Sequence, residues 1–299
     1  MVIIEYFQGS RIRMSRLHPM SRLSRWLVAI VLAALLIWTL FPLWWALALS
    51  IKRPQDFFTA KFIPFWQFRP TLDNWRAEWV WFDDPAGLGR GLINSALVAA
   101  ATALISLTLG GLAAFGLILR RYSGLSVWRL VTLILLPRVL TPIIWALPFS
   151  LLMVRFHLQD TRLALIFAHT TLTLPLAILI LHSAMKDIPM ELLDAARVDG
   201  ANWLTAWGRI VAPLLAPAAL ATSALCIVQS WNEFLFALMN VQQRAQTAPL
   251  AIASLITKDG IEFKFVGAHL VMVMLPPLLL ALVAQQVIVR GLSLGALSD

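Results

Sequence analysis

Acidic and small residues gather at helical spacing in one internal stretch, 184–212, which reads AMKDIPMELLDAARVDGANWLTAWGRIVA. Glu191, Asp194 and Asp199 can pair with basic groups of another surface, and Ala195-Ala196 lets such a surface come close. The chemistry on offer is docking, not bond breaking. No GxxxxGK[ST] phosphate loop, HExxH or GxSxG pattern occurs, so the chain has no means of hydrolysing a nucleotide or an ester by those routes. Cys226 is the single cysteine and cannot form an intrachain disulfide, and no Cys/His cluster suggests a metal. His18, His157, His169, His182 and His269 are scattered, and they read as polar residues at helix ends or packed between helices.

Three further polar residues interrupt apolar stretches: Arg138, within Leu136-Pro137-Arg138, and Asn232 and Glu233, within Trp231-Asn232-Glu233. A guanidinium in hydrocarbon costs about 3 kcal/mol or more unless paired. Arg138 is therefore expected to face a cavity, to pair with a carboxylate such as Glu233, or to snorkel outward. Asn232 and Glu233 are expected either to line a solute path or to lock helix packing.

The elements that must position these residues follow from composition. Of 299 residues, 60% are apolar and 13% charged, with a mean hydropathy of +0.80. Soluble domains are about 45–50% apolar and about 25% charged. The chain is thus expected to be an all-α membrane protein. The net charge of +9 reflects arginines flanking apolar helices. No large soluble basic segment exists to hold a duplex, so no nucleic-acid partner is expected. Six stretches reach the roughly 20 apolar residues that a span requires: 26–49, 92–119, 127–152, 163–181, 213–239 and 266–289. The first is too long for the apolar core of a signal peptide, about 7–15 residues, and reads as an uncleaved helix. Residues 1–25 and 291–299 are then tails on the same side.

Counting Lys and Arg over the two sides gives twelve against eleven, which barely discriminates. Density decides better. Five arginines fall between residues 11 and 25 with no acid among them, whereas 50–90 mixes six bases with five acids. The positive-inside rule then places both termini in the cytoplasm. The outer segment 50–90 is rich in Phe and Trp and reads as a cap of short interfacial helices.

Within 184–212, Asp187 is expected to cap a helix whose first turn holds Pro189 and Glu191. Gly200 is expected to end it, since glycine accepts the left-handed conformation. Asn202 caps a second short helix on which Trp203 and Trp207 share a face, and Pro213 opens the fifth span.

This segment resembles the EAA loop of inner-membrane subunits of binding-protein-dependent ABC importers. In that pattern Glu-Ala-Ala is followed after three residues by Gly, and nine residues later by Ile-x-Leu-Pro. Here the matching residues are Asp194-Ala195-Ala196, Gly200 and Ile210-Val211-Ala212-Pro213, with Asp for Glu and Ala for Leu. Ser230-Trp231-Asn232-Glu233-Phe234, Thr247-Ala248-Pro249-Leu250 and the C-terminal Arg290-Gly291-Leu292 look like a maltose-type carbohydrate permease. The resemblance implies a MetI-like permease fold with six transmembrane helices in the bacterial inner membrane. It implies import of a sugar or related solute. The partners would be a second permease subunit, two cytoplasmic ATPase subunits that bind ATP and Mg, an extracytoplasmic solute-binding protein and the membrane lipid. The chain itself would hold no cofactor. Glu191, Asp194, Ala195, Ala196, Asp199 and Gly200 would form the coupling loop, carried inward when the ATPases close and rocking spans four and five. An anionic solute such as a glycerol phosphate ester is the rival within transport. A secondary carrier is a weaker one, because no inverted repeat is evident.

Overall fold

The computed structural model describes residues 22–82, 87–119, 132, 134–135, 141–257, 260–261 and 263–295. Helices dominate: α1 (Arg22–Ser50), α2 (Asp73–Trp81), α3 (Leu88–Leu119), α4 (Pro142–Arg155), α5 (Arg162–Met185) and α6 (Met190–Val198). Then come α7 (Trp203–Leu214), α8 (Ala216–Trp231), α9 (Leu235–Asn240), α10 (Ala248–Ala253) and α11 (Phe263–Gly295). A two-residue antiparallel pair, β1 (Ile256–Thr257) with β2 (Gly260–Ile261), turns the chain into α11.

Among the described residues, α1, α3, α5 and α11 are each long and apolar enough to cross a membrane, and α7 with α8 makes a fifth candidate bent by 77°. The expected third span, 127–152, falls partly outside the described residues; its second half is α4. The expected fifth span, 213–239, is not one straight helix. It bends next to Leu215, between Pro213 and Pro217, and stops again at Asn232 before α9 begins. Proline removes an N–H donor and crowds the preceding turn, which gives the first break a cause.

The core is the pair α3 and α5, which run side by side in the same direction. Arg162 Nε donates to Asn94 Oδ1 at 2.7 Å near their starts, and Ser106 Oγ meets Thr173 Oγ1 at 2.6 Å midway. Near their ends Phe115 and Leu181 share one apolar cluster. In lipid the hydrophobic effect does not draw helices together, so close packing of small residues and interhelical hydrogen bonds must. The sequence supplies both. Ala103, Ala177 and Cys226 pack at the crossing of α3, α5 and α8, and His169 Nδ1 lies 2.7 Å from Ser230 Oγ of α8. By contrast, the apolar stretch of α1 is exposed along its length, and only its last turns are buried, at Ala46, Ala48 and Ser50.

The segment after α1 folds as a cap of short helices and turns. Asn74 Nδ2 donates to the Ser50 and Lys52 carbonyls at 3.0 and 2.7 Å. Lys52, fully buried, sets its ammonium 4.4 Å from the Trp45 ring centre and 5.4 Å from that of Phe68, where ring faces attract a cation. Glu78 of α2 reaches His269 Nδ1 of α11 at 3.0 Å, both fully buried.

Candidate functional site

The bundle presents two built loops at opposite ends of the α3–α5 pair. The first follows the end of α5. Helix α6 begins at Pro189, which is its N-cap with extended backbone (φ −58°, ψ 127°) and no side-chain cap bond. Asp187 therefore does not cap it, which corrects the expectation from sequence. Residues 186–188 instead close tight turns onto Ser183, Ala184 and Met185, so the chain leaves α5 too sharply for Asp187 to reach the new helix. Glu191 lies in the first turn, where a carboxylate suits the positive dipole end.

Leu193 and Ala196 of α6 are buried, while Glu191, Asp194, Ala195 and Asp199 are exposed. The helix thus sits on the bundle by one narrow stripe. Leu193 enters a cluster formed by Ala114 and Phe115 of α3, Leu181 and Met185 of α5, Ala206 and Val211 of α7, and Leu215. Its C-terminus closes in a Schellman turn: Ala201 N–H donates to Ala196 O at 2.9 Å and Gly200 N–H to Arg197 O at 3.0 Å. Gly200 has φ +82°, a left-handed conformation that costs an L side chain about 1–2 kcal/mol.

Asn202 then caps α7 as expected, its Oδ1 accepting from Thr205 N at 2.8 Å. Trp203 and Trp207 do share a face. Both rings meet Phe115, with centroids 6.3 and 5.5 Å away. A Cβ at Gly111 would stand 2.8 Å from the Trp207 ring, so any larger residue there would push the ring away. Arg197 stacks on the Trp203 ring at 4.7 Å, joining the two short helices across the turn. Trp207–Val211 forms a π-helical turn, an irregularity often found at functional positions. The result is a helical hairpin whose solvent-facing side carries Glu191, Asp194, Ala195 and Asp199 beside the exposed Val198.

The candidate path residues behave differently. Asn232 is exposed at the end of α8. Glu233 turns inward: its carboxylate accepts from Phe236 N at 3.0 and 3.1 Å and meets His169 Nε2 at 3.2 Å, with the two side chains 9% and 1% exposed. It therefore starts α9 and ties it to α5. Helix α9 is in turn held by α4, where Trp145 and Phe149 pack on Phe236 at 4.9 and 5.5 Å. Arg138 lies outside the described residues.

The second loop was not anticipated from sequence. Between α4 and α5, Asp160 adopts φ +56°, and its carboxylate accepts from four consecutive backbone N–H groups. These are Gln242, Gln243, Arg244 and Ala245, at 3.1, 3.2, 3.0 and 3.1 Å. Burial pushes the Asp160 carboxyl up, but these four donors together outweigh it and hold its pKa below the ordinary 3.8. Asn94 Nδ2 donates to the Arg244 and Gln246 carbonyls at 3.1 and 2.8 Å, and Ser95 Oγ accepts from Ala248 N at 2.9 Å. Asn94 and Ser95, near the start of the second expected span, thus fix a loop some 150 residues away. An aspartate in a short polar turn before a helix, where Asp tolerates φ above zero, was the one local signal available.

Residues 106–294 match the family described as the binding-protein-dependent transport system inner membrane component. That stretch holds both the acidic hairpin and the Asp160 loop. The chain belongs to this permease family. Similar permeases include the melibiose/raffinose/stachyose import permease MelC of Bacillus subtilis, 30% identical over 85% of this chain and 90% of that protein. The trehalose transport permease SugB of Mycobacterium tuberculosis is 30% identical over 87% and 92%. The sulfoquinovosyl glycerol transport permease SmoH of Agrobacterium fabrum is 30% identical over 90% and 92%. The fold is similar to a crystal structure of a bacterial ABC transporter involved in the import of the acidic polysaccharide alginate. The TM-score is 0.68 at 19% identity, covering 89% of this chain and 98% of that one. The chain is accordingly a multi-pass membrane permease subunit of an ABC importer, and its relatives are permeases rather than enzymes.

Proposed function

We propose that this permease subunit forms, with a second permease, the path of an ATP-driven sugar importer, and that α6 is the handle by which two cytoplasmic ATPase subunits drive it. ATP and Mg are held by those partners, and an extracytoplasmic binding protein delivers the solute. Both termini and 184–212 then face the cytoplasm, and 50–90 faces outward. The observation that carries the reading is the division of α6: Leu193 and Ala196 anchor it, while Asp194 and Ala195 face away from the bundle. A helix gripped on that face passes motion to α5 and α7 through the shared apolar cluster. The shift is limited by the difference in nucleotide affinity between the two states.

The sugar assignment draws on the relatives named for melibiose and trehalose. The relative named for sulfoquinovosyl glycerol keeps an anionic glycoside as the second reading. Two measurements test the proposal in the assembled complex. Ala195→Cys should crosslink to an ATPase subunit, and labelled-solute uptake should be inhibited by neutral oligosaccharides. Absence of the crosslink would refute the handle, and competition only by sulfonated or phosphorylated glycosides would replace the substrate class.

A further inference from the structure

We infer that the turn 62–66 and the outward face of α2 form one lipid anchor, lodged among the glycerol and upper acyl groups of the outer leaflet, which sets the depth of α1 and α11 in the membrane. The anchor plays no part in the coupling just described. Its choice of leaflet rests on the orientation proposed above.

Depth comes first. Twenty residues of α1 separate Arg25 from Trp45, about 30 Å of helix, which matches the thickness of the hydrocarbon core. Trp44 and Trp45 therefore mark its outer edge, the level at which Trp rings concentrate. The cap folds back down to that edge. The Phe62 ring lies 5.2 Å from Trp45 and 6.1 Å from Phe41, and Trp44 Nε1 donates to the Phe62 carbonyl at 3.3 Å. Just beyond, Phe65 and Trp66 are 87% and 82% exposed. Two large rings thus project beside the lipid boundary.

The backbone of this turn is prepared for a place poor in water. Gln67 Oε1 accepts from Ile63 N at 3.0 Å and also from Phe62 N. Phe65 N donates to Phe68 O and Gln67 N to Ile63 O, both at 3.0 Å. A segment that meets its own donors loses little where water is scarce. Phe65 has φ +66°, a left-handed conformation that disfavours L side chains. Such strain collects at functional positions, and here it is kept at a residue whose ring is exposed.

Helix α2 is inside out. Its polar residues Asn74 and Glu78 are buried, while Leu72 at its N-cap, Trp79 and Val80 are exposed. A helix between protein and water carries the opposite pattern. With Trp75 and Arg76, the exposed residues line a concavity of about 450 Å³. It offers apolar walls for an acyl chain and a guanidinium for a phosphate. Tryptophan, aliphatic side chains and an arginine on one face suit the membrane interface.

The grip reaches two spans. Asn74 ties α2 to the end of α1, and Glu78 ties it to His269 of α11. A Cβ at Gly267 would stand 2.6 Å from Ser50 Cα, so α1 and α11 touch backbone to backbone beside the anchor.

The test places the complete transporter in phosphatidylcholine vesicles, with a nitroxide on Trp66→Cys or Trp79→Cys; the native thiol, Cys226, is buried. In electron paramagnetic resonance, dissolved oxygen should relax both labels more than a water-soluble nickel chelate does. The order should reverse for Gln55→Cys, an exposed residue beyond the end of α1. A preference for the chelate at 66 and 79 overturns the anchor, because the face then meets water. Labels reached by neither agent also overturn it, because a protein surface such as the second permease then covers the face. Should a variant fail to assemble, the unmodified transporter gives the same answer. Phosphatidylcholine carrying a diazirine near its glycerol should attach to the peptides holding 62–66 and 72–80, and unlabelled peptides there overturn the inference. In spheroplasts, a Gln55→Cys thiol that an impermeant reagent cannot reach overturns the proposed orientation and the outer-leaflet assignment with it, a failure distinct from one in the depth readings.

Discussion

The two ends of the α3–α5 pair fasten their loops by different physics. At one end α6 is held by apolar contact: Leu193 packs in one cluster with Phe115, Leu181 and Val211, and Trp203 and Trp207 pack beside it on Phe115. At the other end the 242–248 loop is held by hydrogen bonds, four of them to one carboxylate. Apolar contact is non-directional and lets a rigid element rock while staying attached. Hydrogen bonds are directional and fix both place and orientation. The two ends are thus built from different interactions, one that tolerates sliding and one that fixes orientation.

Substitutions at four positions probe that contrast. Leu193→Ala should have the largest effect. Removing a buried leucine from a packed cluster costs about 2–5 kcal/mol, so α6 should lose its place, seen as hydrogen exchange across 190–198 and loss of solute uptake. Asp160→Ala should rank second. It strips four N–H groups of their partner, and bonds to a charged acceptor are each worth about 1.5–3 kcal/mol before water replaces them. Because the loop is partly exposed, a net loss of roughly 2 kcal/mol is expected, with fast exchange confined to 242–245. If exchange also rose at α6, the independence of the two ends would be disproved.

The same carboxylate sets a pH dependence. Its folded pKa lies below the ordinary 3.8, so its contribution is complete above 3.8 and is lost as pH falls through the lower folded value. Between pH 6 and pH 8 the loop should not respond at all, and Asp160→Asn should abolish the acid-induced exchange.

Gly200→Val comes next. A β-branched residue at φ +82° is strained by about 1–2 kcal/mol. It should raise ATP hydrolysed per solute imported, with little change in the amount of complex assembled. Ala195→Glu should alter stability least, by less than about 0.5 kcal/mol, because the position is exposed. Its effect on uptake should nonetheless exceed its effect on unfolding, since the side chain enters the surface that the ATPase is proposed to grip. Equal, small effects on both would weaken the handle and leave the packing account standing.

Much of this architecture is local enough to be legible along the chain. Runs of about 20 apolar residues announce α1, α3, α5 and α11, and Gly200 and Asn202 announce the turn between α6 and α7 because left-handed backbone and helix capping are properties of single residues. The expected cap at Asp187 failed because Pro189, extended and without an N–H, fits the start of α6 and leaves Asp187 in the preceding turn. Hydropathy reads straight through the bend within the expected fifth span: Leu214 and Ala216 are both apolar, yet the axis turns by 77° there.

What the sequence by itself determined is the solvent each segment prefers and the points where the backbone can turn, since both depend on side-chain type within a few residues. Tertiary structure decided the partners of the polar groups. It sends Glu233 to His169 and the start of α9, Asn94 to carbonyls of 244 and 246, and Asp160 to four amides more than eighty residues away. A hydrogen bond needs its two groups within about 3 Å, and no single stretch of chain encodes which distant backbone will arrive at that distance.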